Sequence, residues 1–112
     1  MDTQESGSEL LGQVVDLAKL VEFQGGAVVS RTLIKKPTGT VTLFAFDEGQ
    51  ELSEHTAPFD AMVQVIEGKV QLTIGGKPLE AVAGQMVVMP AGIPHAVKAT
   101  GRFKMLLTMV RS

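Results

Sequence analysis

The chain has 112 residues, 45% apolar and 20% charged, and its ten Lys plus Arg against twelve Asp plus Glu leave a formal charge of -2. These figures describe one soluble globular domain able to bury roughly 65% of its unfolded surface, and the absence of cysteine excludes a disulfide scaffold. Nucleic acid is excluded as the main partner because the largest basic cluster is Lys35-Lys36; no apolar run reaches the roughly 20 residues that span a bilayer, and the acidic start MDTQESGSE is unlike a signal peptide, so a cytoplasmic location is expected.

Residues 1–9 are polar and Gly/Ser-bearing, with nothing to bury, and are expected to be loose. From Leu10 to Val21 the apolar residues Leu10, Leu11, Val14, Val15, Leu17, Ala18, Leu20 and Val21 recur at spacings of three and four. That stripe predicts a short amphipathic helical segment, with Ser8 as its N-cap. After Gln24-Gly25-Gly26 the pattern changes to β-branched runs between Gly and Pro turns. The predicted strands are 27–35, 40–47, 51–56, 61–67, 69–74, 79–82, 85–89, 95–99 and 103–111, an all-β domain of sandwich or barrel type.

Three of these strands carry more detail. Val70, Leu72 and Ile74 alternate with Lys69, Gln71 and Thr73, one face buried and one wet, and Gly75-Gly76 supplies the positive φ angles of a type I′ hairpin turn. In the 40–46 run, Val41, Leu43 and Ala45 share one face while Phe44 and Phe46 share the other with Thr42. Both faces need cover, and the second is expected to come from a partner subunit, which predicts a homodimer. Phe103, Met105, Leu107 and Met109 place one face of the last strand in the core. Asp47-Glu48-Gly49 reads as a polar turn and Lys35-Lys36-Pro37 as a solvated strand end.

Two segments carry a family resemblance. Gly49 to Gly68 reads GQELSEHTAPFDAMVQVIEG and Gly84 to Ala99 reads GQMVVMPAGIPHAVKA. They resemble the two motifs of the cupin superfamily, of the small single-domain, conserved-barrel type. The first family motif runs Gly, five residues, His-x-His, three or four residues, Glu, six residues, Gly. The second runs Gly, five residues, Pro-x-Gly, two residues, His, three residues, Asn. Gly49, His55 and Gly68 keep their spacing in the first, and Gly84, Pro90, Gly92 and His95 keep theirs in the second. The resemblance implies a jelly-roll β-barrel over roughly residues 27–110, within a single domain spanning 10–112, often dimeric, with its pocket inside the barrel.

The resemblance also implies a divalent metal, with zinc, iron, manganese or nickel as candidates, held by two His and a Glu from the first motif and one His from the second. Here His55 and His95 fill two of those slots, while Ala57 stands in the second His slot, Ala61 in the Glu slot and Ala99 in the closing Asn slot. A catalytic metal usually keeps three protein ligands and an open position, which two histidines do not supply. Asp60, Glu54 and Gln64 lie near the motif, but strand alternation points a one-residue neighbour to the opposite face unless a bulge intervenes. The bland reading of the two histidines is that each is a partly buried imidazole satisfied by a carbonyl or water.

The remaining candidates line the inferred pocket. Phe44 and Phe46 suit the wall of an apolar site as well as barrel packing, and Phe59 shares that ambiguity. Ala57, Ala61 and Met89 complete the wall; Met86, Met89, Met105 and Met109 also suit the role of flexible core fillers. Gly92 and Pro94 are turn residues that aim His95 inward. Three functions stay open: a cupin binding a small molecule between apolar walls with His55 and His95 as polar anchors; a metal-dependent dioxygenase or isomerase using both histidines and a third ligand; and metal-free acid–base chemistry in which a carboxylate such as Asp60 orients a histidine. The absence of Tyr removes the usual acid from the third.

Overall fold

The computed structural model describes residues 2–5 and 10–111. Ten strands follow one another along the chain: β1 (Asp2–Glu5), β2 (Val28–Lys36), β3 (Gly39–Phe46), β4 (Glu51–His55), β5 (Asp60–Glu67), β6 (Lys69–Ile74), β7 (Lys77–Val82), β8 (Met86–Met89), β9 (His95–Lys98) and β10 (Phe103–Val110). They form a six-stranded sheet ordered β1-β2-β3-β10-β5-β8 and a four-stranded sheet ordered β4-β9-β6-β7. The result is an all-β jelly roll, and β2 to β10 fall within one or two residues of the alternation-based expectation at most ends. Among the described residues, no helix is long and apolar enough to cross a membrane.

The core lies between the two sheets. On β5, Ala61, Val63 and Val65 are buried while Asp60, Met62 and Gln64 turn away, the period-two pattern that the sequence carries. Val70 and Leu72 of β6, Ala81 of β7, Val97 of β9, and Phe103 and Met105 of β10 meet them, with Phe46 stacked on Phe103 at 4.6 Å between ring centroids. The β6–β7 hairpin pairs Ile74 with Lys77 across Gly75 and Gly76, whose φ angles of 57° and 80° are those of the expected turn. Gly68 is fixed by a different constraint. Its φ is 77°, and a β-carbon there would collide with the Arg102 carbonyl, so only glycine fits the β5–β6 corner.

The short helical segment expected over 10–21 is minor and carries no α-helical turn among the described residues. Among the described residues of that stretch, 3-10 conformation is confined to Leu10 and the turn Leu17–Lys19. Gly12 sits at φ 69°, and Leu11 and Val14 face outward, the latter fully exposed. The stripe is satisfied by a sheet instead: Leu17, Leu20, Val21 and Phe23 pack with Leu43, Ala45, Val29, Leu33, Ile66 and Leu106 on the outer face of the six-stranded sheet. This irregular strap, residues 17–26, therefore supplies much of the cover for β3 that a partner subunit was expected to supply.

Residues 2–5, expected to be loose, run parallel to β2, with Asp2 opposite Val29 and Glu5 opposite Thr32. A free sheet edge presents backbone donors and acceptors that pair with any extended segment, and this pairing needs no buried side chain. Residues 6–9, including the Ser8 cap, lie outside the described residues.

The strap is tied down by polar contacts that the sequence pattern did not announce. The Lys104 ammonium, nearly buried, donates to the Ala18 carbonyl at 2.6 Å and lies 3.8 Å from Glu67. The Arg31 guanidinium donates to the Leu20 carbonyl at 3.3 Å, and the Phe23 ring lies within 5.2 Å of both Arg102 and Lys104. Asp47, more than a polar turn residue, accepts the Gly26 N–H at 2.7 Å and Arg102 Nε at 2.8 Å. Those two bonds, the backbone one first, pull its carboxyl from 3.8 down to about 2.

Candidate functional site

His55 and His95 come together. They are cross-strand partners on β4 and β9, their ring centroids 4.4 Å apart and their planes at 67°. The pairing depends on an irregularity: Leu52 pairs with Val97, and the register then shifts before His55 meets His95. Regular pairing would put Glu54 opposite His95, because two steps from Leu52 correspond to two steps from Val97. The extra residue of this β-bulge brings His55 to the inner side and leaves Glu54 with Ser53 on the outer side, where both line a polar groove with Gln71, Thr73 and Lys98.

Each ring is held by its own chain. His55 Nδ1 lies 2.8 Å from the Ser53 carbonyl, and His95 Nδ1 lies 3.2 Å from the Ile93 carbonyl. A carbonyl only accepts, so Nδ1–H is the donor in each ring, and in a neutral imidazole this leaves the lone pair on Nε2. His95 is 5% exposed whereas His55 is open to solvent, so one ring is enclosed by the barrel and the other stands at its surface.

The turn that carries His95 is fastened to the loop that follows His55. Pro90 and Pro94 have no N–H to place, and the other three amides of the turn are all used: Ala91 donates to Asp60 Oδ1 at 2.9 Å, Gly92 to the Ala57 carbonyl at 2.9 Å, and Ile93 to the Pro90 carbonyl at 3.3 Å. The far ends of the two motifs are joined as well, Gly49 donating to the Ala99 carbonyl and Ala99 to the Gln50 carbonyl.

The other expected pocket residues take distinct places. Ala57 is half-buried and acts through its carbonyl. Ala61, in the slot where the resemblance implies Glu, is 2% exposed and pairs with Met89 on one side and Met109 on the other. Ala61 and Met89 are both part of the core between the sheets, and Met109 packs against it. Phe44 is buried 5.9 Å from Phe46, and Phe46 is fully enclosed against Phe103, so Phe46 is core packing and not pocket wall. Phe59 lies under the Arg111 guanidinium at 5.2 Å.

A catalytic metal does not fit this donor set. Two imidazoles converge, the remaining slots hold Ala57 and Ala61, and among the described residues no group of three His, Asp or Glu side chains is arranged to hold an ion. Asp60, the nearest substitute in sequence, is bonded to the Ala91 amide. Burial of Ala61 and exposure of Asp60 confirm the alternation that points the carboxylate away.

Comparison with known proteins gives a consistent result. The family profile described as "Cupin domain" matches residues 42–111. A conserved protein of unknown function from Streptococcus pyogenes is 40% identical with a TM-score of 0.87, over 90% of this chain and 89% of that one. A cupin 2 conserved barrel domain protein from Leptotrichia buccalis is 43% identical with a TM-score of 0.84, over 87% of this chain and 47% of that one. A cupin superfamily protein from Desulfitobacterium hafniense is 27% identical with a TM-score of 0.85, over 90% and 93%. The curated proteins gave no match.

Proposed function

The chain belongs to the cupin family, and on that premise we propose that it is a small-molecule-binding cupin whose site is the mouth formed by His55 and His95. The observation that carries this reading is the facing pair of imidazoles, each engaged through Nδ1 with a carbonyl of its own strand or turn so that Nε2 is the nitrogen left for a ligand. Neutral Nε2 atoms accept hydrogen bonds, so they favour a ligand head that donates, such as a hydroxyl, phenol or amine. The apolar row Met89–Ala61–Met109 suits the ligand's body. Under this reading the alanines at 57 and 61 make room for the ligand, and a metal-dependent dioxygenase or isomerase is the disfavoured alternative.

Thermal-shift screening of neutral alcohols, phenols and amines, together with elemental analysis, tests the proposal. A true ligand at about one hundred times its Kd contributes roughly 2.7 kcal/mol, which raises Tm by roughly 10 °C for a domain of this size. The shift should vanish in His55→Ala and in His95→Ala. Near-stoichiometric metal that is lost in both variants would instead establish the metalloenzyme alternative.

The partner we propose for the open half of the outer face is a second copy of the chain. Ile34, Val41, Thr108, Met62 and Val88 are successive cross-strand neighbours over five strands, and Ile34 and Val88 are each 50% exposed. The same chain carries uncovered Leu11, Val14 and Val15, and twofold pairing offers each copy's segment to the other's band. Light scattering should give twice the 11.9 kDa of one chain, falling to one in Ile34→Lys with Val88→Glu; a monomeric parent ends this reading.

A further inference from the structure

We propose that Asp60 is a positioning residue for the His55–His95 pair, acting through the 90–94 turn and not by contact with either ring. The inference rests on the pair being the binding site, but it concerns how the pair is held. Three observations lead to it.

Among the described residues, Asp60 is the only side chain that accepts from the turn's three amides; the other two acceptors are the Ala57 and Pro90 carbonyls. A carboxylate accepting a backbone N–H makes a charge-assisted bond, stronger than its neutral counterparts. The turn so held carries Ile93, whose carbonyl accepts the hydrogen bond from His95 Nδ1–H and thereby selects which nitrogen is left for a ligand. Finally, Ala57 lies in the loop that leaves β4 immediately after His55 and Asp60 opens β5 at the other end of that loop, so the bonds to Gly92 and Ala91 tie the loop that follows one ring to the turn that precedes the other. Strand pairing sets His55 opposite His95, and this bridge sets how far the turn beyond β9 can drift from it.

The geometry assigns Asp60 a purpose that differs from the one its charge first suggests. It neither ligates nor orients an imidazole directly; it fixes the carbonyl that does. Asp60 is exposed, so its replacement leaves the core of the barrel untouched.

The experiment is long-range proton–nitrogen NMR of the full chain, with both imidazoles neutral, on the parent protein and on Asp60→Ala and Asp60→Asn. The parent should show the Nδ1–H form at both histidines. In Asp60→Ala, His95 should lose that form in favour of the mixture seen for a free imidazole, while His55, held by Ser53, keeps it. Asp60→Asn retains an acceptor oxygen and should restore the parent pattern at His95. An unchanged His95 spectrum in Asp60→Ala overturns the proposal, as does Asp60→Asn behaving like Asp60→Ala. Unfolding midpoints of the three proteins, measured in parallel, separate a local change from general loss of structure; a pattern change in Asp60→Ala that comes only with a collapsed midpoint also overturns it. Failure of every ligand screen would remove the binding function and leave this result standing, so the two readings fail separately.

Discussion

The two apolar clusters of this barrel are built on opposite plans. Between the sheets, regular strands interdigitate, and Phe46, Phe103, Leu72 and Val63 are enclosed with at most 1% exposure by side chains alone. Outside the six-stranded sheet, an irregular strap covers Leu43 and Ala45, and its placement depends on Lys104, Arg31 and Asp47 gripping its backbone. The first cluster is held by area removed from water, which tolerates changes of pH and salt. The second adds charged hydrogen bonds to a thinner apolar contact, so it is the part of the fold that solution conditions reach first.

The sharpest way to break the inner cluster is Phe46→Ala. Removing a fully enclosed ring should cost about 3–5 kcal/mol, seen as a lower urea midpoint for the whole domain. A loss confined to the strap would contradict the division. Lys104→Met is the matching change outside. It keeps the stem but removes the donor to Ala18, and a hydrogen bond from a charged group is worth about 1.5–3 kcal/mol. Its expected signature is faster amide exchange in residues 17–26 with the interior strands protected as before; uniform loss of protection would merge the two regions into one.

The smallest effect is expected at Asp47. Its folded carboxyl titrates at about 2 against an ordinary 3.8, chiefly through the Gly26 amide and then Arg102. A depressed acid contributes stability above its unfolded value and loses it as pH falls through the folded one. The midpoint difference between the parent protein and Asp47→Asn should therefore be present at neutral pH, shrink below about pH 4 and vanish near the folded value. A difference that persists unchanged into strong acid would show that the carboxylate's charge is not what holds Gly26.

What was legible in the sequence follows the same division. Alternation along β5, β6 and β10 exposes the inner faces directly, and the glycine pair at 75–76 marks its turn, because both signals are local. The strap was misread for a physical reason. Apolar residues at spacings of three and four satisfy a helix, but a chain bound at Leu17, Leu20, Val21 and Phe23 to a ready-made sheet face meets the same need without one. The anchors were illegible because their partners are remote: Asp47 reaches across 21 and 55 residues, Asp60 across 31 and Lys104 across 86. At the site, motif spacing identifies His55 and His95 and the departures at 57 and 61. It does not reveal that Ser53 and Ile93 choose the tautomer, since that depends on where two carbonyls come to rest.

The bulge before His55 has a consequence for how this barrel can change. The run Leu52-Ser53-Glu54-His55 holds a carboxylate and an imidazole side by side, and one surplus residue decides which of them occupies the position across from His95. Deleting Ser53 removes the surplus but keeps His55 there, now by regular pairing; deleting His55 instead slides Glu54 into the vacancy and exchanges a nitrogen pair for a nitrogen–oxygen pair. By register alone, a single codon lost at one place or another thus decides whether an imidazole or a carboxylate stands across from His95.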